Sequence, residues 1–296
     1  MPPLGTSSPE ALEREAIRRT AGLLDDPFDA HVHLFPEGFY QALWRWFDAH
    51  AWSIQFRGDA EAVLSHLAGH GTRRLLALVF AHRPGAAAFL NRWLGELARA
   101  CPDVVAVGTV LPGEPDALAI TREAIDRHGL RGIKLHCHVQ QVAIDDPRVM
   151  EVLTACVDLD VPAVVHAGRE PSSTAYGVDT RALCSAGRTR RVLEALPRLR
   201  LVVPHIGADE FDAYLDLLRD HPGLWLDTAM SCAEYFPDRP AFAAIESHAD
   251  RILYGTDFPI LPYEADRELR ALARGIESDR ALGLILRDNA GQLWGR

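Results

Sequence analysis

Short apolar runs alternate with longer amphipathic segments along most of this chain. The runs are residues 28–35, 74–80, 104–111, 131–136, 161–168, 199–207, 223–229 and 251–258. Between them, apolar residues recur at helical spacing, as in residues 86–100, 149–159 and 211–220. Continuous rather than alternating apolar runs are typical of strands buried on both faces, as in parallel sheets covered by helices. The pattern therefore predicts an α/β fold.

Eight strands separated by helices are typical of a (β/α)8 TIM barrel. A doubly wound open sheet would alternate in the same way, but no GxGxxG motif follows the first run. We therefore predict one distorted TIM barrel over residues 27–296. A short arm over residues 1–26 precedes it, in which Ser8 and Pro9 are suited to begin a helix.

The connection between the first two strands, residues 36–73, is long and rich in aromatic residues. These are Tyr40, Trp44, Trp46, Phe47, Trp52 and Phe56. The connection is predicted to form a helical insertion. One interpretation is a helix packed on the barrel wall, and the other is a cap that supplies apolar walls to a pocket at the barrel mouth. Both can hold at once.

Composition narrows the class of protein. The longest apolar run, residues 75–81, is far shorter than the ~20 residues that a membrane span needs. A net charge of −10 argues against a nucleic-acid partner. Five scattered cysteines without a CxxC motif, and a start without a signal-peptide pattern, favour a cytoplasmic protein with reduced thiols.

Ionisable residues stand where the predicted strands end, and the carboxyl ends of barrel strands form the active-site mouth. His31 and His33 lie two residues apart on the first strand, so both imidazoles can face one point. Two histidines on a buried strand are costly to desolvate unless something binds them, and neutral imidazole is a good ligand for zinc. The strands that follow add Lys134, His136, His166, His205, Asp227 and Asp257.

These residues lie in motifs that resemble a known family. The segments DAHVHLF, GIKLH, VVHAG, VVPHIG and YGTDFP, followed by LRDNAGQLWG, resemble the amidohydrolase superfamily. They are most similar to its amidohydrolase-related (amidohydrolase 2) branch, with its metal-dependent hydrolases and decarboxylases of the aminocarboxymuconate-semialdehyde decarboxylase type. HxH alone is a weak motif, but HxH followed by strand-end histidines and GTDFP in that order is specific.

The resemblance implies a divalent metal, most often Zn²⁺, with Mn²⁺ and Fe²⁺ also open. It implies that His205 acts beside the metal in single-metal members and binds a second ion in two-metal members. The implied ligands of the first ion are His31, His33, His166 and Asp257.

The end of strand four is open to two interpretations. In two-metal members a carboxylated lysine bridges the ions, and Lys134 occupies the matching strand. We favour the alternative that Lys134 pairs with an acid or anchors a substrate anion, since this branch commonly holds one metal. Cys137 stands where the family usually has proline, which leaves this geometry open. His136 could be a ligand, a substrate contact or a partner of a ligand, whereas His138 is expected in an exposed loop.

The implied chemistry uses a metal-activated water, with Asp257 as proton acceptor and His205 polarising the substrate carbonyl. Asp227 could orient His205 or a metal ligand, or cap the following segment. Arg169, three residues after His166, is a candidate clamp for a substrate carboxylate, or else an exposed loop residue.

The sequence therefore predicts a metal-dependent hydrolase of an amide, ester or lactone bond in a small, carboxylate-bearing molecule. The alternative is a metal-dependent non-oxidative decarboxylase of an unsaturated or aromatic acid, because the same groups could protonate a ring carbon before CO₂ departs. A TatD-type nuclease shares HxH, but the net charge and the GTDFP ending argue against it. A non-catalytic metal-binding barrel is disfavoured by the intact constellation. The expected partner is a small anion, and the resemblance leaves a homodimer open.

Overall fold

Eight parallel strands form one sheet in which every strand pairs with its neighbours in sequence order. They are β1 (Phe28–His33), β2 (Arg74–Leu78), β3 (Val104–Thr109), β4 (Ile133–His136), β5 (Ala163–His166), β6 (Leu201–Val203), β7 (Leu224–Asp227) and β8 (Ile252–Leu253). The computed structural model describes residues 26–169 and 173–295. The predicted N-terminal helix at Ser8 and Pro9 lies outside the described residues. The predicted TIM barrel is confirmed.

Helices separate the strands, as the amphipathic segments predict. They span Glu37–His50, Ala60–Gly69, Ala86–Ala100, Ala117–Asp126, Cys137–Gln140, Pro147–Asp158, Thr180–Leu183, Ala186–Ala195, Phe211–Asp220, Phe242–Ser247, Arg267–Gly275, Asp279–Gly283 and Asn289–Trp294. Short 3₁₀ turns span Thr174–Tyr176, Pro204–Gly207 and Ala249–Arg251, and a π-helical turn spans Leu284–Asp288. Within the described ranges, no helix has the length and apolarity that a bilayer crossing requires.

Two apolar cores stabilise the barrel. The larger core lies between the strands and the surrounding helices. The smaller core fills the barrel interior, where Phe28, Leu76 and Trp225 pack with Leu293 and Trp294 of the last helix. Apolar side chains therefore close the amino-terminal end of the barrel and leave the polar side chains at the other end.

A register shift in β1 places its histidines at that polar end. The pairing of β1 with β2 is interrupted between Asp29 and Val32. Ala30 packs in the barrel interior, whereas Val32 packs in the outer core. Such a bulge changes which face successive residues present. Because of the bulge, β1 can place apolar residues in the barrel interior at its start and still direct His31 and His33 inward at its end.

The barrel closes where β8 meets β1. The Ala30 amide donates to the Tyr254 carbonyl, the Asp257 amide to the His31 carbonyl, and the His33 amide to the Phe258 carbonyl, each at 2.8 Å. These bonds hold the segment after β8 directly against the end of β1. Asp257 is consequently adjacent to both histidines of β1, although more than two hundred residues separate them.

Candidate metal centre and active-site cavity

Three side chains at the β1–β8 junction converge at the barrel mouth. His31 Nε2 lies 3.3 Å from His33 Nε2, and Asp257 Oδ1 lies 3.3 Å and 3.1 Å from these two nitrogens. All three residues are buried or nearly so. Their ligand atoms lie within 4.8 Å of one another, which identifies them as a group that could hold a metal ion.

Asp227, at the end of β7, determines which nitrogen of His31 faces this cluster. His31 Nδ1 donates to Asp227 Oδ2 at 2.8 Å, so in the neutral imidazole Nε2 carries the lone pair. That lone pair faces the Asp257 oxygen, and two acceptors at 3.3 Å repel each other unless a cation lies between them. The His31 nitrogen and the Asp257 oxygen are therefore placed as the ligands of a bound cation would be.

His205 and His166, which follow β6 and end β5, form a second pair, and the His205 ring lies 5.2 Å from that of His31. His205 Nδ1 donates to the Ala229 carbonyl at 2.8 Å, which leaves Nε2 as an acceptor. His166 Nδ1 lies 3.2 Å from that Nε2 and must therefore be the donor. His166 Nε2 then carries a lone pair; it is buried and has no hydrogen-bond partner among the described residues. His166 is not one of the three clustered ligands, but this nitrogen is available to a metal.

Left-handed backbone conformations hold two of these side chains in place. His205 has φ 59° and Asp257 has φ 72°, values that residues other than glycine rarely adopt. The His205 amide donates to Asp227 Oδ1 at 3.0 Å, which helps hold this turn. Strained positions of this kind cluster at functional sites.

Burial and mutual contact set the protonation of the cluster. Burial lowers the pKa of His31 to about 4, although Asp227 and Asp257 oppose this effect, and burial also lowers the pKa of His33. Burial raises the pKa of Asp257, but His31 and His33 outweigh it and hold that pKa well below its ordinary value. Neutral imidazoles beside an ionised carboxylate are the protonation states that metal binding requires.

Lys134 lies fully buried among these groups, yet its Nζ has no hydrogen-bond partner in the described part of the chain. Burial lowers its pKa to about 8, while Asp227 and Asp257 act to raise it. The expected close pairing with an acid is therefore not formed. The ammonium acts on both carboxylates through space, and its role as a bridge or anchor stays a prediction.

The end of β4 differs from the sequence prediction at His138. This residue is fully buried in the helix Cys137–Gln140, its ring centroid 4.6 Å from that of His166, so the prediction of an exposed loop position is wrong. His138 Nε2 contacts the Gly168 carbonyl at 3.2 Å, and burial lowers its pKa to about 4. His136 stacks on His166 with ring centroids 4.1 Å apart. The LHCH segment repeats the HxH spacing of β1, and that signal could have identified His138.

A cavity of about 630 Å³ opens above the cluster, and His33, His136, His166, His205 and Asp257 reach its wall. The rest of the wall combines apolar side chains with a few polar ones, and nine of its residues are aromatic. The aromatic residues are Phe35, Phe39, Trp46, Phe47, Trp52, Phe80, Tyr176, Phe211 and Phe236.

Both interpretations of the first connection hold. Trp46, Phe47 and Trp52 line the cavity, which confirms the cap, whereas Tyr40 and Trp44 are buried in the outer core.

The arginine on the cavity wall is Arg181, not the predicted Arg169. Arg169 pairs with Asp209 at 3.1 Å and Glu210 at 3.6 Å, and it is absent from the wall of the described cavity. Arg181 lines the cavity and pairs with the same Asp209 at 3.0 Å. Arg169 as a carboxylate clamp stays a prediction. Nothing in the sequence around Arg181 distinguished it, because its position follows from how the loop after β5 folds.

Comparisons with known proteins agree with this architecture. A family model described as Amidohydrolase (Amidohydro_2) matches residues 28–296. No curated protein matches the chain. Among solved structures, an uncharacterised TIM-barrel protein from Bordetella bronchiseptica is 22% identical, with a TM-score of 0.70 over 90% of this chain and 98% of that one.

Two decarboxylases are also similar in structure. The 2,6-dihydroxybenzoate decarboxylase from Rhizobium is 16% identical, with a TM-score of 0.63 over 91% of this chain and 98% of that one. The 5-carboxyvanillate decarboxylase from Novosphingobium aromaticivorans, complexed with manganese and 4-hydroxy-3-methoxy-5-nitrobenzoic acid, is 16% identical, with a TM-score of 0.67 over 92% and 96%. At these identities the likeness shows the fold.

Proposed function

Because this chain belongs to the amidohydrolase-2 family, we propose that it is a metal-dependent, non-oxidative decarboxylase of a small aromatic carboxylic acid. The observation that carries the proposal is the aromatic cavity that opens onto the cluster of His31, His33 and Asp257. The two structurally similar decarboxylases act on substituted benzoates by their names, which supports this function over the hydrolase that the sequence favoured.

We propose that His31, His33 and Asp257 hold one divalent ion, with His166 Nε2 as a further ligand. Three imidazole nitrogens and one carboxylate oxygen can bind either Zn²⁺ or Mn²⁺. Because the 5-carboxyvanillate decarboxylase structure contains manganese, Mn²⁺ is as good a candidate as Zn²⁺. Bound there, the ion would act as a Lewis acid that neutralises negative charge on substrate oxygens.

Asp257 is the group we assign to proton transfer. Decarboxylation replaces the bond from ring carbon to carboxylate by a bond from ring carbon to hydrogen, and the electron pair stays on the ring as CO₂ leaves. The ionised Asp257 reaches the cavity wall and can accept a proton from the incoming acid or its hydroxyl group. It then delivers that proton to the ring carbon. We assign His205, which lines the same cavity, to positioning the substrate.

The cavity provides the means to bind such a substrate. A volume of about 630 Å³ lies within the usual range for small-molecule sites, which combine apolar walls with a few polar groups. Phe80 and Trp46 line the cavity, where an aromatic ring could pack against them, and Arg181 and His136 are polar or charged groups on the same wall. A small anion is therefore the proposed partner, despite the overall charge of −10.

The test is CO₂ release from a panel of hydroxylated benzoates and unsaturated acids by the metal-loaded enzyme. We expect Asp257→Asn to reduce turnover by at least about a thousandfold, because the amide cannot carry the proton. Asp216→Asn removes an exposed carboxylate that does not line the cavity and is expected to leave turnover unchanged. Equal turnover in Asp257→Asn and wild type would contradict the assignment.

A hydrolase of a lactone, ester or amide is the second candidate, because the same cluster could activate water. The reaction products distinguish the two activities. If the enzyme hydrolysed such compounds and released no CO₂ from any acid tested, it would be a hydrolase and not the proposed decarboxylase. A cytoplasmic location, which the five free cysteines favour, stays a prediction, as does a homodimer.

A further inference from the structure

A second group of metal-type ligands lies outside the cavity, on the side of the barrel where β8 meets β1. His66 and His70 belong to the helix Ala60–Gly69 and its C-cap, and Glu264 lies in the segment after β8. One ligand atom of each lies within 4.8 Å of the other two. His66 is half-buried, whereas His70 and Glu264 are exposed, so an ion from solvent can reach the group.

Contacts around the two histidines hold their rings close together at the end of this helix. His70 Nδ1 donates to the His66 carbonyl at 2.9 Å, so Nε2 of the neutral ring carries the lone pair. The His66 ring stacks on Phe258 at 5.1 Å with an interplanar angle of 4°, and it lies 4.5 Å from Phe56. The centroids of the two imidazoles are 4.4 Å apart.

Glu264 is held in a comparable way. Its Oε1 accepts from Gln55 Nε2 at 2.6 Å, which orients the carboxylate. The backbone N–H of Gln55 also donates to the Leu261 carbonyl at 2.9 Å. The segment around Gln55 is therefore hydrogen-bonded to the loop that carries Glu264. A hydrogen bond of this kind to a metal-binding carboxylate fixes the orientation of the ligand.

We propose that His66, His70 and Glu264 form a second divalent-metal site that binds Zn²⁺ or a similar transition ion. Histidines at positions i and i+4 of a helix present their rings on one face, the spacing that helical zinc sites use. Two imidazoles and one carboxylate leave a place for water in a tetrahedral shell, which suits an exposed site.

The site would connect the cap to the segment that carries Asp257. Its ligands come from the helix Ala60–Gly69 and from the loop after β8, and none of the three lines the described cavity. His66 also stacks on Phe258, the neighbour of Asp257. An ion there would therefore link the helix Ala60–Gly69 to the loop after β8 without lying in the cavity. This proposed site is independent of the proposed decarboxylation.

The test is a titration of the metal-loaded enzyme with Zn²⁺ in competition with a chromogenic chelator. The wild type is expected to bind one equivalent beyond the ion in the cavity. His70→Asn and Glu264→Gln are each expected to weaken this second equivalent at least about tenfold, and to leave the first unchanged. His50→Asn, which alters an exposed histidine on another helix, is the matched control.

Thermal unfolding gives an independent measurement. Added Zn²⁺ should raise the melting temperature of the wild type and of His50→Asn, but not of His70→Asn or Glu264→Gln, because an ion that binds only the folded state stabilises it. Both substituted side chains are exposed, so the variants should fold, and circular dichroism checks this. The proposed site would be wrong if the wild type bound no second equivalent of Zn²⁺. It would also be wrong if all four proteins bound the second equivalent equally well.

Discussion

Asp227 joins both halves of the candidate metal centre through one buried carboxylate. Oδ2 accepts from His31 Nδ1, and Oδ1 accepts from the amides of His205 and Ala229 at 3.0 and 3.1 Å. One side chain thus sets the tautomer of a β1 histidine and the backbone turn that carries His205. The sequence could place Asp227 at a strand end, but the choice of its partners depends on the curvature of the barrel.

We predict that Asp227→Asn lowers metal affinity by about 10- to 100-fold, the usual cost of losing the hydrogen-bond partner of a ligand. The amide would have to present its NH₂ group either to the His31 N–H or to the two backbone N–H groups, so one side loses its acceptor. Chelator competition on the purified variant measures the affinity, with Asp216→Asn as the control. Wild-type affinity in Asp227→Asn would show that His31 needs no such partner.

Among the helices, Arg267–Gly275 supports the cavity wall through a buried acid. Glu268 Oε1 accepts from the Cys232 amide at 2.9 Å, next to Ser231 on the wall. Oε2 is buried without a hydrogen-bond partner among the described residues. Burial raises the pKa of Glu268 to about 8, although its hydrogen bonds with Cys232 act to lower it. Burial on this helix thus favours the protonated form of the Glu268 carboxyl group.

This shift predicts how stability depends on pH. Since the folded-state pKa of about 8 lies above the ordinary value of 4.5, the folded chain binds more protons between these values. The contribution of Glu268 is thus fully present below about 4.5 and is lost as pH rises to about 8, by up to ~1.4 kcal/mol per pH unit. Glu268→Gln should flatten this fall in the free energy of unfolding.

Urea unfolding at several pH values between about 5 and 8.5 measures that slope. Glu151→Gln, on the exposed side of the helix Pro147–Asp158, is the matched control and should retain the wild-type slope. An identical pH dependence in Glu268→Gln and the wild type would mean that Glu268 is ionised in the folded protein at neutral pH.

For the whole molecule, the sequence was informative where periodicity and strand ends carry the information. Eight apolar runs predict the barrel, and its geometry alone brings His31, His166 and Asp257 to one mouth. What escaped prediction depends on contacts between distant segments. The helical turn after β4 buries His138, and the ion pairs in the loop after β5 draw Arg169 to Asp209. Neither leaves a periodic signal in the sequence.

Among the described residues, the β1–β8 junction closes the barrel without a continuous strand ladder. An isolated bridge between Val32 and Phe258 and a few backbone bonds close it, whereas β1 and β2 pair along most of their length. Asp29 reinforces the junction by accepting from the Thr256 hydroxyl at 2.6 Å. An ion held by His31, His33 and Asp257 would cross the same junction, so the proposed metal would contribute to stability as well as to chemistry.

We therefore predict that removing this ion with a chelator lowers the melting temperature by about 5–10 °C. An ion present at a hundred times its dissociation constant stabilises the folded state by about 2.7 kcal/mol, and each kcal/mol shifts the melting temperature of domains of about 150–250 residues, slightly smaller than this barrel, by about 2–4 °C. The melting temperature should be measured in the His70→Asn variant, which lacks the second metal site proposed above. The fall in melting temperature on adding chelator then reports only on the ion at the β1–β8 junction. His33→Ala in the same background should begin at the lower temperature and respond little to the chelator. If both proteins lost stability equally, the ion that stabilises the barrel would lie elsewhere than between β1 and the segment after β8.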